Sequence, residues 1–244
     1  MDGLVLGASS GIARALLAEA WRRDAKPNER WVLTTRTGRA LPDLERLAGS
    51  RQLDWRATEA LDDPAALLAE LGRDAWRPRV VLVAWGVLVP GDRGSAQELA
   101  HMREVNGPAT LRWLEALSNW LPTNGPAPLA PPRVAVLGSV AGDRPRRSQW
   151  TYGLSKQELE RGLDGLRRRA PAIRWTLVKP GPIQTPMTAH LKPGPLMSRP
   201  EAIAPRLLRA WEDGRAQVYA PAWWGLVSTI LRAVPEPLWK YVPF

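Results

Sequence analysis

The chain has 244 residues, no cysteine, two histidines and a formal charge of +10. Its length accommodates one large domain with a full core, and the missing cysteines exclude a disulfide framework and a thiolate metal site. Two histidines far apart in sequence give no basis for a metal centre either.

Only five of the 34 basic residues are lysines (Lys26, Lys156, Lys179, Lys192 and Lys240), and the arginines are scattered. The charge therefore reads as a solvated surface or an anion-binding one. No zinc-ligand spacing or aromatic RNA-binding pattern accompanies it, so no nucleic-acid partner is expected. The cysteine-free composition fits a reducing cytosol. An apolar strand beginning almost at the first residue leaves no room for a signal peptide, so a cytoplasmic location is expected.

Leu4, Val5 and Leu6 read as a buried strand. Gly7 to Gly11 is a tight polar turn, and helical spacing begins at Ile12. Strand, glycine turn and helix together present free backbone N–H groups to an anion, with Ser9 and Ser10 adding hydroxyls. The same pattern also suits an ordinary strand-to-helix turn. Further strands are expected at Trp31–Thr35, Arg51–Trp55, Val80–Gly86, Arg133–Ser139, Arg174–Pro180 and Gln217–Ala220. Helical patterns lie between them, the longest from about Ala96 through Trp120. Residues 123–132 read as a connecting loop. Seven apolar strands without polar alternation, separated by helices, predict an α/β fold: a doubly wound parallel sheet with helices on both faces. Ligands of such sheets bind beyond the strands' C-terminal ends.

Those ends carry chemistry. Arg36 follows the second strand, with Arg39 close behind. A guanidinium there pairs with a ribose 2′-phosphate, which points to NADP(H) over NAD; a plain surface arginine is the alternative. Ser139 closes the fifth strand, and Tyr152 and Lys156 follow, four apart on one helical face. A free tyrosine, with a pKa near 10, is a poor acid–base catalyst at neutral pH. An ammonium one turn away stabilises the phenolate, and Ser139 is placed to hold a carbonyl or hydroxyl.

In this order and spacing the motifs resemble the short-chain dehydrogenase/reductase family along nearly the whole chain. GASSGIA at Gly7–Ala13 is similar to its cofactor turn, T-G-x-x-x-G-x-G. Asp54 matches the adenine-contacting aspartate closing the third strand, and Ala84–Gly86 lies where N-N-A-G closes the fourth. Asn106 matches the asparagine supporting a water relay, and Ser139, Tyr152 and Lys156 the other catalytic positions. KPGPIQTPM from Lys179 resembles the segment touching the nicotinamide. The resemblance thus implies NADP(H) contacts from Gly7, Ser9, Ser10, Gly11, Ile12, Arg36, Asp54, Ala84, Gly86, Tyr152, Lys156, Pro180, Gly181, Ile183 and Thr185. Leu6 and Ala13 replace a threonine and a glycine of the pattern. Val83 and Trp85 put the usual hydrogen-bond brace of the fourth strand in doubt.

The chain is expected to form one nucleotide-binding domain, residues 1–244, with a proline-interrupted substrate loop at 182–200 and an apolar tail at 221–244. Met187, His190, Leu191 and Met197 suggest that the loop closes over a partly apolar substrate. The tail's apolar run is too short to span a bilayer. Trp223, Trp224, Leu226, Ile230 and Leu231 can share a helical surface, with Trp239 and Tyr241 following and Arg232 and Lys240 nearby. That surface suits either a membrane contact or an oligomer interface or lid. Tail and loop resemble the subgroup containing the ketoreductase partner of decaprenylphosphoryl-ribose 2′-epimerase, which implies a keto-sugar on a polyprenyl phosphate as substrate. A soluble reductase of 3-oxoacyl or other small carbonyl compounds is a second reading. A non-catalytic NADP-sensing protein is a third, opposed by the intact Asn106, Ser139, Tyr152 and Lys156. A homo-oligomer is expected.

Overall fold

The computed structural model describes residues 2–24, 28–73, 76–123 and 130–239. The loop expected at 123–132, together with Lys26, Lys240 and Tyr241, falls wholly or largely outside them. Seven parallel strands form one sheet in the order β3-β2-β1-β4-β5-β6-β7. They are β1 (Gly3–Leu6), β2 (Arg30–Thr35), β3 (Gln52–Ala57), β4 (Val80–Val83), β5 (Arg133–Leu137), β6 (Arg174–Pro180) and β7 (Gln217–Ala220). Helices α1 (Gly11–Arg23), α2 (Pro42–Ala48), α3 (Pro64–Arg73), α4 (Ala96–Glu104), α5 (Thr110–Thr123), α6 (Trp150–Arg169) and α7 (Pro200–Glu212) surround it. After β7 come α8 (Trp224–Ala233) and α9 (Glu236–Trp239).

Successive strand residues point to opposite faces, so each strand feeds two cores. Val5, Leu33 and Leu82 pack with Leu16 and Leu17 of α1 and Leu207 and Trp211 of α7. Leu4, Leu6, Val32, Val81 and Val134 pack with Leu68 of α3, Trp113 and Leu117 of α5, and Leu159 and Leu163 of α6. Both faces are covered, which is why the strands lack polar alternation.

Several expectations shift: β4 ends at Val83 rather than Gly86, and β5 ends at Leu137 rather than Ser139, which lies two residues beyond it. The long helix expected from Ala96 to Trp120 is interrupted by a π-helical turn over Val105–Ala109. Pro108 has no backbone N–H to donate, so a regular α ladder cannot run through it. The third strand runs on to Ala57 rather than ending at Trp55. The strand order reverses between β2-β1 and β4, and the crevice opens beyond the strand ends at that switch.

Candidate active site

A cleft of about 950 Å³ lies along the C-terminal ends of the strands. Its floor at one end is the β1–α1 turn. Gly7 has φ +88°, and a Cβ there would stand 3.0 Å from the Trp85 nitrogen, so only glycine fits. Gly7 N–H donates to Thr34 Oγ1 at 3.0 Å, and Ser10 caps α1. A Cβ on Gly11 would meet the Thr185 methyl at 2.9 Å, so the loop after β6 closes directly over the turn. The first turn of α1 contains no acidic residue, which leaves the positive end of the helix available to an anion. Gly7, Ser9, Ser10, Gly11 and Ile12 all line the cleft. Arg36, exposed just past β2, lines the same end and makes no ion pair among the described residues.

Asp54 is not part of this cleft. Because β3 continues to Ala57, Asp54 sits inside the strand opposite Val32 of β2. Its carboxylate accepts from Arg30 at 2.9 Å and from Arg56 at 2.7 and 2.9 Å. Burial opposes its ionisation, yet the bonds from Arg56 and Arg30 hold its pKa below the usual carboxylate value. Thr58, Glu59 and Ala60 occupy the strand end instead and line the cleft.

The far end of the cleft gathers Ser139, Tyr152 and Lys156 with Ala84 and Gly86. Lys156 is 5% exposed, donates to the Leu137 carbonyl at 3.2 Å, and lies 5.9 Å from the Tyr152 ring centroid. Burial drops its pKa from 10.5 to about 8. Burial also raises the Tyr152 pKa, partly offset by a hydrogen bond with Ser139. Desolvation of the phenolate outweighs the hydrogen bond that favours it. Ser139 Oγ also accepts from the Ala141 amide at 3.1 Å.

Asn106 is fully buried behind the cleft rather than lining it. Its Oδ1 accepts from Val87 N–H at 3.0 Å and its Nδ2 donates to the Val87 carbonyl at 2.7 Å. With one bond at each end, the side chain clamps the segment after β4. The doubt over Trp85 is resolved similarly. Its indole donates to Thr110 Oγ1 at 3.2 Å, and its ring meets Trp113 edge-on at 5.3 Å. A different pair of side chains braces the sheet here.

Pro180, Gly181, Ile183 and Thr185 line the wall beyond β6. The 182–200 loop is pinned back on itself by Gln184 donating to the Ser198 carbonyl and Ser198 donating to the Pro182 carbonyl. Met187, His190 and Leu191 face the cleft as the sequence suggested. His101, Arg146 and Gln149 line it too and were missed. Arg146 was legible only as one of several arginines between Ser139 and Tyr152. Burial lowers its guanidinium pKa.

The residues present fit a dinucleotide. A glycine cradle that a Cβ would fill, an anion-ready helix end and an exposed arginine with no ion pair among the described residues are continuous with half-buried Ser139 and Tyr152 and buried Lys156.

No family model matches the chain. An uncharacterized oxidoreductase of Mycobacterium tuberculosis is 30% identical over 226 residues, covering 87% of each chain. A short-chain dehydrogenase of Burkholderia cenocepacia in complex with NADP superposes with a TM-score of 0.75 at 22% identity, over 100% of this chain and 97% of that one. One from Sphingobium yanoikuyae in complex with NADPH gives 0.74 at 20% identity, over 97% of each chain. The chain belongs to the short-chain dehydrogenase/reductase family. A short-chain dehydrogenase/reductase is an oxidoreductase acting on CH–OH groups, and the cleft described above lies where such a sheet binds its nucleotide.

Proposed function

We propose that this short-chain dehydrogenase/reductase uses NADP(H) to interconvert a carbonyl and a secondary alcohol, with Tyr152 as the proton donor. The observation that carries the reading is the convergence of Ser139, Tyr152 and Lys156 on the same cleft as the Gly7–Gly11 turn. The β1–α1 turn and Arg36 would hold the phosphates, Arg36 favouring the 2′-phosphate. Lys156 and the Pro180–Thr185 segment would hold the nicotinamide end. The bound nucleotide supplies the hydride. Ser139 orients the substrate oxygen, and the Tyr152 hydroxyl gives it a proton.

The chain is read as one domain, with the 182–200 loop as its substrate cover. Two features support a keto-sugar on a polyprenyl phosphate as substrate, in line with the subgroup that the loop and tail resemble. The substrate end combines apolar Leu88, Met187 and Leu191 with His101, Arg146 and His190. Outside it, Trp223, Leu226, Ile230 and Leu238 are 38–66% exposed. No helix among the described residues is long and apolar enough to cross a membrane. A surface contact, on the cytoplasmic face, is the form of membrane association this reading takes. A homo-oligomer covering the same stripe is the competing reading.

A panel of lipid-linked keto-sugars and 3-oxoacyl compounds, followed by NADPH absorbance, tests the substrate. Turnover of the lipid-linked class is expected. Turnover of the 3-oxoacyl class alone would overturn the keto-sugar reading.

A further inference from the structure

We propose that Arg144 is a positioning residue for the active site, through which α8 and α9 hold the segment carrying Ser139 and Arg146. The inference rests on the proposed carbonyl chemistry only for its kinetic consequence.

The segment between β5 and α6 brings Ser139, Arg146 and Gln149 to the wall of the cleft. Its own regular structure is two short 3-10 turns, Val140–Gly142 and Arg147–Gln149. The three residues beyond the first turn are each tied to something that follows β6. Asp143, 3% exposed in its side chain, pairs with Lys179 and accepts from the Tyr219 hydroxyl at 3.2 Å. Arg232 of α8 donates in turn to that hydroxyl at 3.1 Å. Arg144, 15% exposed in its side chain, donates to the Leu231 carbonyl at 2.8 Å and to the Val234 carbonyl. Both carbonyls belong to the C-terminal end of α8, where a cation is favoured. The Arg144 guanidinium also lies 4.2 Å from the Trp239 ring centroid. The Trp239 indole donates to the Pro145 carbonyl at 3.3 Å.

The contacts of Arg144 are separate from the apolar packing that holds the sheet together. Neither large apolar cluster includes a residue of 138–149 or 221–239. Loosening those contacts leaves the sheet packed and frees the Ser139–Gln149 segment to move. Guanidinium is suited to the task because one planar fork serves two carbonyls and stacks on an indole at once. Glu236 contributes little, being 86% exposed in its side chain.

Hydrogen–deuterium exchange on the full chain, paired with steady-state kinetics, tests the proposal. Arg144→Ala is expected to raise amide exchange across 139–149 about tenfold and to leave 11–23 and 80–83 unchanged. Glu236→Gln is expected to leave all three regions unchanged. In turnover, Arg144→Ala is expected to lower kcat about tenfold with NADPH affinity held within about twofold, and Arg144→Lys to recover part of the loss. Unchanged exchange across 139–149 overturns the proposal, as does a fall in kcat matched by an equal loss of NADPH-binding sites. A wild-type chain that reduces no carbonyl overturns the functional reading instead, while the exchange data still decide the role of Arg144.

Discussion

Trp224 lies directly on Gly181. A Cβ on that glycine would stand 1.9 Å from the indole nitrogen, so the start of the tail is keyed into the segment beyond β6 that lines the cleft. The sequence suggested that Trp223, Trp224, Leu226, Ile230 and Leu231 share one surface. The structure divides them. Trp224 and Ser228, one turn apart, are buried, while Trp223, Leu226 and Ile230 face outward. Trp239 also turns inward, onto Arg144. The tail is thus fastened to the active-site side and presents a narrower apolar stripe than its composition implied.

That stripe gives the first prediction. Replacing Leu226 and Ile230 together by Gln leaves the inward anchors intact. If the stripe meets a membrane, sedimentation with anionic liposomes and turnover of a long-chain substrate are lost, and a short-chain analogue is still reduced. A change of oligomeric state with no liposome binding by the parent protein would identify an interface.

Arg36→Asp is expected to weaken NADPH binding about tenfold or more and to shift preference toward NADH, because a charge-assisted fork to phosphate is replaced by repulsion. Fluorescence titration with both nucleotides measures it. Tighter binding of NADH than NADPH by the unaltered chain would contradict the assignment.

Lys156 makes the nucleotide-free protein's stability depend on pH. Its folded pKa of about 8 lies below the ordinary 10.5, so between these values the unfolded chain binds more protons. Stability from this group therefore rises with pH through that window, by about 3 kcal/mol in the limit. Below pH 8 both states are protonated and the cost of burying the ammonium is fully present. Lys156→Met should remove the rise, and denaturant midpoints across the window measure it. An identical slope in both proteins would show that the lysine is not desolvated.

Lys179 is 1% exposed in its side chain, between Asp143 and Glu160, the latter bonded at 2.7 and 2.8 Å. Lys179→Met leaves Asp143 and Glu160 facing each other without the ammonium between them, with Arg232, 3.9 Å from Asp143, left as a cation nearby. It should destabilise the fold by about 3 kcal/mol or more in urea unfolding at neutral pH. A loss under about 1 kcal/mol would mean that solvent reaches the cluster.

Much of the architecture was legible because a covered parallel sheet leaves a strong signature: β6 and β7 begin and end where the apolar runs do. The glycine turn and the Ser139, Tyr152 and Lys156 spacing were legible because each follows from local geometry. Asp54 misled because Trp55 suggested a strand end, whereas β2 offers ladder partners as far as Thr35, which pairs with Ala57. The clamp from Asn106 to Val87 spans 19 residues, and no local pattern reports which distant backbone a side-chain amide meets. Arg146 and His101 reach the cleft only through the packing of loops, which periodicity does not record.

The most direct measurement is single-turnover NADPH oxidation with a carbonyl substrate, comparing the parent protein with Tyr152→Phe. The parent should consume one NADPH per carbonyl reduced. The variant should bind NADPH with affinity within about twofold of the parent and fall by about a thousandfold or more in rate, having lost its proton donor. A variant that still reduces the carbonyl within about tenfold of the parent rate would show that another group supplies the proton.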